Sequence, residues 1–392
     1  MKRVIALVLS LTILILSTLW INAETEEGNS PPLTYSQDNP ENLEISAPSA
    51  ILIEATTGTV LYYKNQAEKR SPASVTKIMT LLLVCEAIES ERIKPEDTVI
   101  ISDYAASMGG SQVFLEEGES FTVEELLKCT VIASANDAAV ALAELISGNE
   151  RNFVAEMNER ANELRMSNTK FENVTGLDDT TVAHLTSAED IAIMSRELIK
   201  YDIILKYSSL WQDSIRDGEF QLTNTNRLVR FYDGCNGLKT GSTDKAGFCI
   251  SATAKRGEMQ LIAVIMGAKT RDLRNADARA LLDFGFATYG LYQKNEQALE
   301  SVRVKGGVAD SVIIKSSPFA CVVNRSNIKK VEESYKIPES ITAPFNAGAI
   351  VGKIEFKIGD TVIGTTDIYA GQSVESIGFF RLFLKMVRNI LH

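Results

Sequence analysis

Apolar residues are arranged in different ways along this chain, and each way predicts its own kind of element. Ala50-Ile51-Leu52-Ile53-Glu54 is a short apolar run, Thr56-Thr57-Gly58-Thr59 is turn-like, and Val60-Leu61-Tyr62-Tyr63 is a second run. That order predicts strand, tight turn, strand. Between 74 and 90 the pattern changes. Pro72 favours a first helical turn, and neither Gly nor Pro recurs before Pro95. Val75, Ile78, Met79, Leu81, Leu82, Leu83, Val84, Ala87 and Ile88 leave almost no polar face, which predicts a buried helix. Stretches 123–129, 138–146, 153–164 and 188–198 are apolar at helical spacing. Stretches 238–241, 247–254 and 259–267 then read as strands, and 277–289 as a closing helix. Strands at both ends with helices between predict one sheet assembled from both ends, with helices packed on it.

Beyond about residue 300 the elements shorten. Val302-Arg303-Val304, Val312-Ile313-Ile314, Ala320-Cys321-Val322-Val323 and Ile354-Glu355-Phe356-Lys357-Ile358 are short strands between Gly, Asn and Pro turns. Gly359-Asp360 allows a hairpin into 361–363, so a smaller β-rich domain is expected over 300–376. In 377–392, Arg381, Lys385, Arg388 and His392 recur at i, i+4, i+7 and i+11, while apolar residues such as Phe379, Phe380, Phe383 and Leu391 cover the rest. A basic stripe on such a helix reads as one lying in a membrane interface near anionic headgroups, too short to span. The competing reading is a terminal helix docked on its own β-rich domain.

The start of the chain has a different character. Lys2-Arg3 precede an uncharged stretch of about 18 residues, 4–21, followed by Asn22-Ala23 and the acidic Glu24-Thr25-Glu26-Glu27. This predicts a secretory signal over 1–23, and the stretch is also long enough to cross a bilayer uncleaved. Either way the working protein is exported, to the outer face of the cytoplasmic membrane if the terminal helix anchors it. Residues 24–44, with Asn29-Ser30-Pro31-Pro32 and Asp38-Asn39-Pro40, read as a polar leader, leaving 45–292 as the main domain.

Composition narrows the chemistry. The 392 residues are 45% hydrophobic and 23% charged, ample for two domains, and the net charge of −11 without a basic run argues against nucleic acid as a partner. The histidines are His184 and His392, and no Cys-x-x-Cys occurs, so no metal or other cofactor is expected. A Ser-His-Asp triad is weakened for the same reason, and no Gly-x-Ser-x-Gly elbow exists. The five scattered cysteines read as small buried hydrophobes rather than a disulfide framework.

Within Ser71-Pro72-Ala73-Ser74-Val75-Thr76-Lys77, Ser74 and Lys77 stand three apart, so on a helix their side chains meet. Burying an ammonium there is costly, which points to chemistry. The spacing alone is weak: Ser167–Lys170 and Ser326–Lys329 repeat it. Ser134-Ala135-Asn136 follows, with Ser147-Gly148-Asn149 as a decoy, and Lys239-Thr240-Gly241 occurs once. The three motifs in this order match serine penicillin-recognising enzymes, whose second triplet usually has Asp where Ala135 stands.

The chain here resembles the low-molecular-mass penicillin-binding proteins that act as D-alanyl-D-alanine carboxypeptidases. Beyond the triplets, the nucleophile segment through Thr80, the Asn173-Val174-Thr175-Gly176-Leu177 loop with His184, and Thr240-Gly241-Ser242-Thr243-Asp244-Lys245-Ala246-Gly247 look like theirs. So do the β-rich domain and the terminal anchor. The resemblance implies a transpeptidase-like α+β fold, an antiparallel sheet flanked by helices. It implies a peptidoglycan peptide as substrate, β-lactams as inhibitors, and Ser74, Lys77 and Ser134 as catalytic residues. Ser74 is then the nucleophile, and Lys77, kept neutral by burial, by the helix N-terminus and by Lys239, its base. Ser134 relays a proton, Asn136 holds the substrate amide and orients Lys77, and backbone N–H groups of Ser74 and Ser242 form the oxyanion hole. Lys239, Thr240, Gly241, Ser242 and Arg274 bind substrate, with Arg271 competing with Arg274 for the terminal carboxylate. His184 and Trp211 read as packing residues, and Asp178-Asp179 as loop acids. A β-lactamase of the same fold is the nearest rival, although no Glu-x-x-x-Asn precedes the last triplet. A DD-endopeptidase is a closer one, and a non-catalytic wall-binding scaffold a more distant one.

Overall fold

A computed structural model describes residues 30–36, 43–178, 181–379 and Arg381. The expected signal 1–23, parts of the leader and nearly all of the expected terminal helix lie outside those residues. Among the described residues, no helix is long and apolar enough to cross a membrane.

The central sheet has six strands in the order Thr34–Tyr35, Thr59–Lys64, Ser49–Glu54, Met259–Ala268, Gly247–Arg256, Cys235–Thr243. Every neighbouring pair is antiparallel except the first. Sequence-distant strands meet in the middle, as the strand-helix-strand order predicts. Ile51, Ile53, Ile262 and Val264 belong to one core, and Ala50, Leu52, Leu261 and Ala263 to the other. Alternation with both halves apolar is what a sheet covered on both faces requires. Helices Lys77–Glu89, Val123–Ile132, Asn136–Ser147, Glu150–Glu163 and Ala188–Leu198 fill one face, and Arg271–Thr288 the other.

Three departures from the sequence reading have physical reasons. The leader is not wholly without structure: Thr34–Tyr35 pairs in parallel with Thr59 and Val60, and Tyr35 donates to Glu189 Oε1 at 2.7 Å, contacts no apolar pattern announces. The α-helix expected from 74 begins at Lys77, because Ala73–Thr76 is a 3₁₀ turn. The closing helix begins at Arg271, where Thr270 caps it by accepting from the Leu273 amide, and its charged first turn hides it from a pattern keyed to apolar spacing. A short hairpin of Gln212–Ile215 and Phe220–Thr223 was also not foreseen.

The β-rich region is a second sheet in the order Val331–Lys336, Ile350–Ile358, Thr361–Ala370, Ser311–Ser316, Gln297–Lys305, Ser340–Thr342. Tyr289–Lys294 leaves the closing helix directly and pairs with Phe319–Asn324. Alternate residues Val302, Val304, Val312, Ile314, Ile354 and Phe356 make a third core. Phe356, with no exposure, stacks on Phe319 at 3.9 Å between ring centroids. Replacing Phe356 by Ala removes that plate and is expected to cost about 3–5 kcal/mol. Denaturant titration followed by tyrosine signals of this region is the check, and an unchanged midpoint would contradict the assignment of Phe356 to its core.

Candidate active site

Ser74 follows Ala73, whose φ of +47° is left-handed. An L-residue held there costs about 1–3 kcal/mol and persists only where its surroundings enforce it. Two glycines allow the enforcing contacts. A Cβ on Gly176, itself at φ +81°, would fall 1.8 Å from the Ala73 carbonyl oxygen. A Cβ on Gly241 would fall 2.8 Å from the Ser74 amide nitrogen and 2.9 Å from that of Val75. The sheet's edge strand therefore presses on the turn that carries Ser74, and only glycine permits that approach. Thr76 Oγ1 completes the clamp by donating to Ala73 O at 2.8 Å.

Lys77 is fully buried beneath Ser74. Its Nζ lies 3.0 Å from Ser74 Oγ, 2.5 Å from Asn136 Oδ1 and 2.9 Å from the Thr175 carbonyl. Asn136 Nδ2 donates to Gly109 O at 2.6 Å, which fixes the amide with its oxygen toward the lysine. Burial, and after it the positive charge of Lys239, hold the Lys77 amine well below its ordinary pKa, with Asp137 opposing. A neutral amine has two hydrogens and one lone pair. The Asn136 and Thr175 oxygens only accept, so they take the hydrogens and leave the lone pair facing the Ser74 hydroxyl.

Lys239 Nζ donates to Ser134 Oγ at 2.7 Å and to Thr240 O at 3.0 Å. Burial and then the nearby Arg274 charge push its pKa down to about 7. Thr240 Oγ1 donates to Thr225 Oγ1 at 2.8 Å. Arg274 is 3% exposed, and among the described residues its guanidinium hydrogen-bonds to Asn275 Oδ1 and the Cys249 carbonyl. A buried guanidinium to which no described carboxylate is hydrogen-bonded is able to pair with an incoming anion. Ser74, Ser134, Thr240, Gly241, Ser242 and Arg274 line one cleft of about 580 Å3, and Arg271 lies on its rim as well.

The decoys stay outside it. Lys170 pairs with Glu172, Ser326 Oγ bonds to Asn324 in an exposed turn, and Asn149 caps the Glu150–Glu163 helix. Asp137 escaped the sequence reading. Buried at the start of its helix, it accepts from the Val113 and Leu115 amides at 3.0 and 3.1 Å and so pins the loop that Asn136 also grips. Its adjacency to the second triplet in an otherwise apolar stretch was the available signal. The five cysteines are unpaired thiols, and no group of metal-ligating side chains forms among the described residues.

Comparison with known proteins identifies the family and the fold. A family model described as D-alanyl-D-alanine carboxypeptidase matches residues 34–270, and one described as the C-terminal domain of penicillin-binding protein 5 matches 286–376. The chain is 43% identical over 366 residues to D-alanyl-D-alanine carboxypeptidase DacF of Bacillus subtilis, covering 91% of this chain and 93% of that protein. It belongs to the D-alanyl-D-alanine carboxypeptidase family. Among solved structures, penicillin-binding protein 5 from Haemophilus influenzae superposes with a TM-score of 0.75 at 28% identity, over 87% of this chain and all of that one. Penicillin-binding protein D2 from Listeria monocytogenes in its ampicillin-bound form gives 0.58 at 30% identity, over 62% and 99%. The family, the fold and the serine carboxypeptidase class expected from the sequence thus hold.

For this carboxypeptidase His184 is a packing residue with a positioning contact. It is 1% exposed, stands edge-on to Phe171, and its Nδ1 accepts from the Glu172 amide at 3.0 Å. The proton therefore sits on Nε2, 2.7 Å from Thr76 Oγ1, which it supplies with a hydrogen bond. Burial holds its pKa down at about 4. The unfolded chain, with a histidine near 6.5, binds the proton first as pH falls, so this group's stabilisation is present above about 6.5 and is lost on the way down to about 4. His184→Gln is expected to remove about 3 kcal/mol of pH dependence in that window. Denaturation midpoints at a series of pH values decide, with parallel curves for both proteins counting against it.

Proposed function

We propose that this carboxypeptidase removes the terminal D-alanine from peptidoglycan stem pentapeptides through an acyl-enzyme on Ser74. The observation that carries the reading is the fully buried Lys77 amine, its Nζ 3.0 Å from Ser74 Oγ and within hydrogen-bond distance of the Asn136 and Thr175 oxygens. Ser74 Oγ attacks the carbonyl of the penultimate D-alanine while Lys77 takes its proton. Backbone N–H groups of Ser74 and Ser242 hold the oxyanion, and Gly241 keeps those two segments close. Ser134, beside Lys239, passes a proton to the departing amine, and the C–N bond breaks. Asn136 orients Lys77 and contacts the substrate amide. Arg274, Thr240 and Ser242, in the positive field of Lys239, hold the terminal carboxylate. Water then hydrolyses the ester. β-Lactams enter the same path, in keeping with the ampicillin-bound relative.

Ser74→Ala is expected to abolish both D-alanine release and covalent labelling by penicillin, read by mass. Labelling at Ser167 or Ser326 would sink the assignment. Acylation requires the lone pair of Lys77, so its rate should fall as pH drops through the lysine's lowered pKa. Lys77→Arg should not restore it, because a guanidinium stays charged. Penicillin acylation rates against pH test both.

The same reading places the enzyme outside the cytoplasm, exported by 1–23 and held on the membrane surface by 377–392. The basic stripe of Arg381, Lys385 and Arg388 supports it. The full chain should sediment with anionic vesicles and be released by salt, and a chain ending at 376 should stay in solution. Equal sedimentation of the two would count against the anchor.

A further inference from the structure

Between Ser134 and Lys239 the chain carries Asn224-Thr225-Asn226, a polar stretch that no apolar pattern marks. Both asparagines are buried, and their side chains are engaged with backbone. Asn224 Nδ2 donates to the Ser208 and Leu210 carbonyls at 3.0 and 2.8 Å, and its Oδ1 accepts from the Asn226 amide at 2.9 Å. Asn226 Nδ2 donates to the Gly237 carbonyl at 2.7 Å, on the strand that bears Lys239 and Thr240. Its Oδ1 accepts from the Leu228 amide at 3.1 Å. The Thr225 amide donates to the carbonyl of Ile132, the last residue of the helix that leads to Ser134, at 3.2 Å. Buried amides are kept only where they are fully partnered, and here two of them hold one threonine between the segments of Ser134 and Lys239.

Thr225 lines the cleft together with Ser134, Thr240, Ser242 and Arg274. Its bond to Thr240 runs one way: Thr240 Oγ1 donates to Thr225 Oγ1 at 2.8 Å. A hydroxyl has a single hydrogen, so Thr240 has spent its own and keeps only lone pairs for the cleft. Thr225 accepts with one lone pair and retains its hydrogen, and no described residue accepts it. An ionised carboxylate is acceptor-only. Beside these two threonines it is repelled by the lone pairs of Thr240 and attracted by the hydrogen of Thr225. Two hydroxyls donating in the same direction also polarise one another, which strengthens the outer bond.

We infer that Thr225 is a specificity-determining residue: its hydroxyl donates to the terminal carboxylate of the substrate, and Thr240 reaches that carboxylate through it. The inference rests on the acyl-enzyme reading and refines the grip on the carboxylate. Arg274 supplies the charge, and Thr225 supplies a directed hydrogen bond that only an acceptor can use. A hydroxyl bonded to an ionised oxygen is roughly twice as strong as a neutral pair, so an esterified terminus loses most of this contact. Thr225 thereby helps the enzyme to select leaving groups that end in a free carboxylate. Asn224 and Asn226 are positioning residues for it, because they touch Thr225's backbone neighbours and not the cleft contents.

The test uses the purified full chain and two acyl-D-alanyl thioesters, whose leaving thiols are thioglycolate and the methyl ester of thioglycolate. The two share the scissile carbonyl and differ in the free carboxylate of the leaving thiol. The readout is the ratio of their kcat/KM values, thioglycolate over its ester, followed by thiol release. Thr225→Val is expected to lower that ratio roughly tenfold or more. Thr225→Ala, which removes the hydroxyl without putting a methyl in its place, should lower it as far. Thr225→Ser keeps the donor and should keep the wild-type ratio. Thr240→Val leaves the Thr225 hydrogen in place and should lower the ratio less than Thr225→Val does. A ratio unchanged in the valine and alanine variants means that Thr240 donates unaided, and overturns the inference. So does an equal fall for both thioesters, the mark of a purely structural threonine, a ratio that serine does not restore, or a larger fall in Thr240→Val. Failure of the wild-type chain to release thiol from either thioester, with Ser74 unlabelled by penicillin, would overturn the acyl-enzyme reading instead.

Discussion

An amine without water is the constraint on which the catalytic half of this molecule depends. Lys77 has no exposure, and a charged group in that position would bear a desolvation cost that its neighbours do not offset. Its neighbours are two oxygens that only accept, a serine hydroxyl, and at longer range a second lysine. The second lysine favours the neutral form, and Asp137 opposes it without outweighing burial. The surrounding helices keep it dry: the segment from Lys77 to Cys85 is buried residue by residue, so no polar face lets solvent in.

The same constraint explains why the turn that carries Ser74 is strained. Ser74 must sit directly over Nζ while its amide remains at the edge of the sheet. A regular helix entered from Pro72 would not permit that, and Ala73 adopts a left-handed φ instead. Gly176 on one side and Gly241 on the other leave no space for the turn to relax. The sheet edge thus serves as scaffold and wall, and it carries Thr240, Gly241 and Ser242 along the cleft.

Electrostatics divide the molecule unevenly. The chain is acidic overall, but among the described residues the cleft is lined by three arginines and no carboxylate, with the buried Lys239 bonded to Ser134 of its lining. Such a field favours a substrate that brings its own negative charge, and in a partly buried cleft that attraction is screened less than on the open surface. The lowered pKa values of Lys77, Lys239 and Arg274 are the cost of that arrangement in the free enzyme.

Much of this was legible in the chain itself. Alternating and continuous apolar runs located the strands and the buried helix, because burial on one face or all faces leaves a period in the sequence. The ordered motifs at Ser74, Ser134 and Lys239 pointed to the serine carboxypeptidase class that the family match bears out. The decoys at Ser167 and Ser326 could not be rejected by spacing, only by their company. Tertiary structure decided what has no period. The left-handed Ala73, the grip of Asp137 on the 109–115 loop, the strand at Thr34–Tyr35 and the arginines gathered beside Thr225 all arise from contacts between residues far apart in the chain. A local pattern records which way a side chain faces. It does not record which distant side chain it will meet, and here that meeting sets the contacts, the strain and the charge of the site.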